Sequence, residues 1–254
     1  MTQATDQERR FGGLARLYGE AAVARMQAAH IYVVGVGGVG SWAVEGLARS
    51  RVGEITMIDL DMVAESNTNR QIQALGDEYG KAKVDVMAQR ILAINPDCRV
   101  RCIEDFVTRE NLSSLLVPGI SVVVDAIDQV RIKAAMIAHC RQAGIPIVTA
   151  GAAGGQTDPT RICRDDLSRT TQDPLLSKVR NQLRREHGFP KAPKKFGITA
   201  IYSTEPLRYP TKTCDTATPT SSGLNCAGFG SSVCVTAPMG FAAAAAALDI
   251  VSLG

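Results

Sequence analysis

The chain has 254 residues, 45% apolar and 21% charged, with a formal net charge of +3. That is enough apolar sequence to bury a full core, as one large domain or a domain with an elaborated second half, in a compact soluble protein. Seven cysteines, an odd number with no Cys-x-x-Cys pair and no signal peptide ahead of them, point to a reducing cytoplasm with free thiols rather than a disulfide framework, and count against a zinc site built on paired cysteines.

In chain order, GLARLYGEAAVARMQAA has a helical apolar pattern, with Leu14, Leu17, Val23 and Met26 near one face, and leads as one helix into a sheet. Strand and helix then alternate: IYVVG, a helix over residues 39–49, EITMID, a polar loop, a helix over 82–94, RVRCIED, a short helix after Thr108, SVVVDAI, a helix over 132–143, and IPIVTA. This is the βαβ rhythm of an α/β protein with a doubly wound, mostly parallel Rossmann-like sheet. After residue 150 the sequence becomes turn-rich and basic. Residues 161–213 hold twelve Lys or Arg against five Asp or Glu, a local +7 that leaves −4 for the rest of the chain. One basic amphipathic helix, DPLLSKVRNQLRREHG, stands out among loops. The division expected is a nucleotide-binding core over 1–150 and a loop-rich elaboration of the same domain over 151–254. Residues 233–248, about sixteen in number, fall short of the roughly 20 apolar residues that cross a bilayer. They read as a helix buried in the core or at a subunit interface, with Pro238 near its first turn; the alternative is peripheral membrane contact.

Three segments carry the chemistry. Gly35, Gly37, Gly38 and Gly40 follow an apolar strand and open a helix, so backbone N–H groups can lie against phosphate oxygens. Asp59, with Asp61 just after it, ends the second strand, where an acidic side chain takes a ribose hydroxyl pair; that suits NAD and ATP equally. The polar loop beyond it, with Asn67, Asn69, Arg70 and Gln71, has no use in hydride transfer and favours cleavage of ATP at the α-phosphate. That reaction needs cations against the leaving pyrophosphate, for which Arg70 and Lys83 are the candidates, with Lys81 as a rival. Asp128 would hold Mg²⁺ through oxygen, or else cap the next helix before Arg131, while Asp125 positions the loop. Ligands on such sheets bind beyond the carboxyl ends of the strands, so these segments should converge on one crevice.

GVGGVG at 35–40, DLDMVAESNTNRQ at 59–71, GKAK at 80–83 and DAID at 125–128 resemble the nucleotide core of ubiquitin-activating-type (E1-like) adenylating enzymes. RFGGLARLYG at 10–19, GGQTDPT at 154–160, YSTEP at 202–206 and NCAGFGS at 225–231 are similar to the tRNA threonylcarbamoyladenosine dehydratase branch of that superfamily. The resemblance implies ATP and Mg²⁺ as cofactors, an alkali cation (Na⁺ or K⁺), a homodimer, and a tRNA substrate carrying threonylcarbamoyladenosine beside its anticodon. It also implies association with a cysteine desulfurase and its sulfur-acceptor protein, and no role for DNA. Two positions depart from the superfamily's pattern. Gly13 stands where sulfur-carrier activators have an arginine that reaches ATP across the dimer, with Arg10 and Arg16 nearby, and Gln129 follows Asp128 where Asn is usual.

Once a threonyl carboxylate is adenylated, the ring can close by direct attack from the carbamoyl group or after capture by a cysteine. Cys226 is the candidate thiol, at a position matching a family cysteine. Cys98, Cys102, Cys140 and Cys234 read as small core residues, and Cys163 and Cys214 as exposed loop thiols. His30 and His139 read as hydrogen-bonded structural histidines. The basic segment would hold the RNA backbone through Arg184, Arg185, Lys194 and Lys195. Rival readings are activation of the C-terminal Gly of a ubiquitin-like sulfur carrier, a nucleotide-binding scaffold in a sulfur relay, and an NAD-linked oxidoreductase.

Overall fold

The computed structural model describes residues 7–209 and 229–253. Two short helices, α1 (Gln7–Tyr18) and α2 (Glu20–Ala28), precede the first strand. The single N-terminal helix expected from the sequence is thus two, because Gly19 takes φ +84° between them, a conformation that interrupts helical hydrogen bonding. Met26 and Val23 are buried as expected, whereas Leu17 is 73% exposed on α1.

Seven strands form one sheet: β1 (His30–Val34), β2 (Glu54–Ile58), β3 (Arg99–Ile103), β4 (Val122–Asp125), β5 (Ile147–Ala150), β6 (Ile162–Asp166) and β7 (Thr199–Ser203). Their spatial order is β3-β2-β1-β4-β5-β7-β6. Every neighbouring pair is parallel except the edge pair β6–β7. The crossovers are α3 (Gly40–Arg49), α4 (Lys83–Ile94), α5 (Leu112–Leu115) and α6 (Val130–Ala143), followed by α7 (Pro174–Glu186) and α8 (Val233–Leu253).

Strand periodicity divides the core into two layers. Ile31 and Val33 of β1 face one cluster with Val44 and Leu47 of α3, Met87 and Ile91 of α4, and Ala243 and Ala247 of α8. Tyr32 and Val34 face the other, with Met136 and Ile137 of α6 and Leu176, Val179 and Leu183 of α7. Covering both faces of the central strands is what makes them continuous apolar runs rather than alternating ones.

The second half of the chain is more regular than its composition suggests. β6 and β7 extend the sheet where loops were expected, because RICRDD carries few apolar residues and the apolar part of TAIYS is too short to stand out. The C-terminal helix runs 21 residues rather than about sixteen, long and apolar enough by composition to cross a membrane. It packs instead against α2, α3 and strands β4 to β7. Pro238 is its sixth residue, in the second turn and so near the start of the helix as expected. Small residues set the approach of α8 to α3: a Cβ on Gly240 would lie 2.5 Å from the Val39 carbonyl oxygen, and one on Gly46 would lie 3.0 Å from Ala244 Cβ.

Candidate active site

β1 leads to α3 and β4 to α6 on opposite sides of the point where strand order reverses, between β1 and β4. A crevice of about 500 Å³ opens there at the carboxyl ends of the strands. Gly35, Gly37, Gly38, Asp59, Asp61, Asn67, Arg70, Gln71, Lys83 and Asp128 line it together, so the distant segments do converge. Two expected members do not. Gly40 is needed for packing, since a Cβ there would stand 1.8 Å from the Gly35 carbonyl oxygen. Asn69 is not among the lining residues and ties the loop to the C-terminal segment, its Nδ2 donating to the Ser231 carbonyl at 2.8 Å.

The crevice floor is a short polar chain. The Val36 N–H donates to Asp59 Oδ2 at 2.6 Å and the Asp61 N–H to Oδ1 at 2.9 Å. Burial raises the Asp59 pKa above its ordinary value, opposed by the Lys83 ammonium and these two backbone donors. Asp61 in turn accepts from Lys83 Nζ at 2.7 Å, and the lysine, first residue of α4, is almost wholly buried at the crevice. Lys81 is half exposed and pairs with Glu78, so of the two lysines it is Lys83 whose ammonium the structure places in the crevice.

Arg70 is clamped by its own loop. Its Nη1 donates to the Ser66 carbonyl at 2.8 Å and to Asn69 Oδ1 at 2.9 Å, and burial lowers its pKa. Its carbonyl accepts from Trp42 Nε1 at 3.0 Å and from the Thr236 hydroxyl, so α3 and α8 fix the loop from beneath. Asn67 caps that loop, its Oδ1 accepting from the Ala64 N–H. Asp125 sits below the surface and pairs with Lys133 at 2.8 Å, while Thr149 donates to its other oxygen at 2.7 Å. Lys133 also donates to the Ile127 carbonyl, which shapes the turn that presents Asp128 to the crevice.

Among the described residues no three metal-ligating side chains cluster. A divalent ion here would rest on the Asp128 carboxylate and on phosphate oxygens, an arrangement that suits Mg²⁺, which keeps much of its shell from water and substrate.

The sequence did not single out Asp105, Phe106 and Val107, which follow β3 into the crevice, nor Lys178 of α7, Tyr209 and Phe229. The first three share the signal that revealed Asp59, a strand end on the same edge. The others come from segments that only the tertiary fold brings alongside. Tyr209 and Phe229 meet as tilted rings, 54° apart in plane and 5.3 Å between centres, and Gly155 bridges their segments, accepting from the Arg208 N–H and donating to the Gly230 carbonyl, each at 2.8 Å.

Other candidates fare differently. Cys226 and Cys214 lie outside the described residues. Cys98 and Cys140 are buried, but Cys102 and Cys234 are exposed rather than core, and Cys163 is half-buried on β6 rather than in a loop. Cys102 sits on the edge strand β3, which has only one neighbour, and Cys234 is the second residue of α8. Burial pushes the Cys98 thiol to about 11 and the Cys140 thiol to about 12. Cys102, exposed as a residue but with its sulfur turned onto the Val84 carbonyl, is pushed to about 11 by desolvation of that sulfur and by Asp85, so all three stay protonated and poorly nucleophilic near neutrality. His30 and His139 are structural as expected, bonded to Thr56 and to the Leu116 carbonyl. Arg10 donates to the carbonyls of Ala93 and Ile94 at the end of α4, and Arg16 is exposed. In the basic segment Arg184 stacks over Phe196, Arg185 pairs with Glu186, and Lys194 and Lys195 are exposed.

The switch-point crevice, its glycine turn and its Arg–Lys–Asp set define a nucleotide-binding α/β protein of the E1-like type. The chain belongs to the ThiF family, whose model matches residues 11–252. It is 49% identical over 253 residues to the tRNA threonylcarbamoyladenosine dehydratase of Haemophilus influenzae, covering 98% of this chain and 95% of that protein. It is 52% identical to the Escherichia coli protein of the same name, covering 94% and 92%. The crystal structure of the E. coli enzyme in complex with ATP superposes with a TM-score of 0.88 at 48% identity over 99% of this chain and 97% of that one. The AMP complex of that enzyme gives the same TM-score at 49% identity.

Proposed function

We propose that the protein is an ATP-dependent tRNA threonylcarbamoyladenosine dehydratase. The observation that carries this reading is the joint lining of one crevice by the glycine turn, Asp59, Arg70, Lys83 and Asp128, in a chain that matches dehydratases of that name over nearly its full length. The threonyl carboxylate attacks the ATP α-phosphorus, forming a C–O–P bond and breaking the bond to pyrophosphate. Arg70 and Lys83 offset the charge that grows on the departing phosphates, and Asp128 would hold Mg²⁺, which supplies Lewis-acid stabilisation of the phosphoryl oxygens. An atom of the neighbouring carbamoyl group then attacks the activated carbonyl and AMP leaves with the carboxylate oxygen, so the nucleoside loses one water overall. Ring closure within one bound molecule draws on effective molarities that reach about 10⁵ M or more.

The reading includes an ATP core over 1–150 with a substrate elaboration over 151–254, a homodimer, an alkali cation, a cysteine desulfurase with its sulfur acceptor, a cytoplasmic location, and RNA contacts from the basic segment. These rest on the resemblance and the charge distribution. Incubation with threonylcarbamoyl-modified tRNA, ATP and Mg²⁺ tests the function: nucleoside mass should fall by one water. Unchanged mass alongside ATP–pyrophosphate exchange would remove the substrate assignment and keep adenylation.

A further inference from the structure

Beside the crevice lies a second cleft, lined by three arginines, Arg109, Arg131 and Arg185, against two carboxylates, Glu110 and Glu186, with Thr108 and Gln182. We propose that it is a phosphate-binding subsite for the RNA backbone next to the modified nucleotide, continuous with the ATP crevice through Lys178. This inference rests on the RNA substrate of the proposed function.

Three arginines reach the cleft from three separate segments: the loop after β3, the first turn of α6 and the last turn of α7. Glu186 holds two of them, accepting from Arg185 at 2.6 Å and Arg109 at 3.4 Å, while Gln182 donates to it at 3.0 Å. Arg131 is exposed and makes no ion pair among the described residues. Its position is costly for a cation. It is the second residue of α6, whose first turn contains no acidic side chain, and the positive end of the helix dipole disfavours a cation there by about 0.3–1 kcal/mol. An anion in the cleft would meet both Arg131 and that helix end, which turns an unfavourable placement into a binding one.

Each of the three segments also lines the crevice a few residues away. Val107 precedes Thr108, Gln129 precedes Arg131 by two positions, and Lys178 lies seven residues before Arg185. Seven residues are nearly two helical turns, so Lys178 and Arg185 share one face of α7 about 10 Å apart. A base entering the crevice would therefore leave its flanking phosphates along Lys178 and the arginines. Of the four basic residues expected from the sequence to hold RNA, only Arg185 belongs to this track; Arg184 is turned onto Phe196, and Lys194 and Lys195 line neither hollow.

The test is tRNA binding by wild type, Arg131→Glu and Arg131→Glu/Arg185→Glu across a salt series. Arg101→Glu, an exposed residue of β3 away from both hollows, serves as the charge-matched control. Binding should weaken tenfold or more in the double variant, with the slope of log affinity against log salt reduced by about 0.7–0.9 for each phosphate no longer neutralised, and Arg101→Glu should match wild type. ATP affinity measured without RNA reports whether the variants are folded. Wild-type RNA affinity and slope in a folded double variant would overturn the subsite and leave the dehydratase reading intact. Loss of inorganic phosphate binding with RNA affinity unchanged would likewise overturn it, by assigning the cleft to free phosphate. No RNA binding by wild type itself would overturn the substrate reading, and the subsite with it.

Discussion

Lys133 and Asp125 face each other with neither side chain exposed, so each is tolerated in the core only because the other is there. Replacing Lys133 with Met leaves a buried carboxylate without its counter-charge, and an unfolding titration should show a loss of about 3–5 kcal/mol. A loss under about 1 kcal/mol would mean that Asp125 is neutral in the native state. Asp59 makes a pH-dependent claim. Its pKa is raised mainly by burial, so between the ordinary value of 3.8 and the raised one the native state holds more proton than the unfolded chain. Stability contributed by this group therefore falls as pH rises through that window. Binding runs the other way, because the ionised carboxylate accepts from ribose hydroxyls through both oxygens and more strongly than the neutral acid. The ratio of ATP affinities, wild type over Asp59→Asn, should fall towards one on acidification, beginning above pH 3.8; a flat ratio would detach Asp59 from the nucleotide. Arg70→Ala should lower kcat/KM for the dehydration by about 10² or more, the scale for losing one preorganised charge-stabilising group. Retained activity would show that Arg70 is not needed for charge stabilisation.

At the scale of elements, the Arg70 loop is held from beneath by α3 and α8. α8 reaches Arg70 through Thr236 and Asn69 through the Val233 N–H, and it can lie there because Gly240 and Gly46 allow close approach to α3. A Cβ at Gly240 meets backbone rather than a movable side-chain end, so Gly240→Val should cost about 1–3 kcal/mol and weaken ATP binding together with stability. An unchanged melting temperature would contradict this tight packing of α8 on α3. The parallel strands and the helices between them were readable from short apolar runs alternating with helical patterns, as were the glycine turn and Asp59, since each follows a strand in a fixed local pattern. β6 and β7 were not, because an edge strand rich in charge and a five-residue buried strand carry too little periodicity to separate them from loops. The break at Gly19 was hidden because the apolar pattern continues on both sides of it.

Across the whole molecule, stability should follow sheet position. Amides of β1 and β4, buried on both faces and paired on both sides, should exchange last; those of the edge strands β3 and β6 should exchange first. ATP should slow exchange at residues 35–38 and 69–71, and slowing confined to residues after 150 would place the nucleotide elsewhere. The sequence by itself determined the strand–turn–helix half of the crevice, because such a turn is a local arrangement of backbone that a short glycine motif specifies. Only the tertiary structure decided which lysine faces inwards and that Asn69 serves the C-terminal segment. It alone placed Lys178, Tyr209 and Phe229 on the crevice and gathered Arg109, Arg131 and Arg185 in a neighbouring cleft. Those residues lie on segments whose meeting depends on how the two core layers pack, and no spacing along the chain encodes that distance.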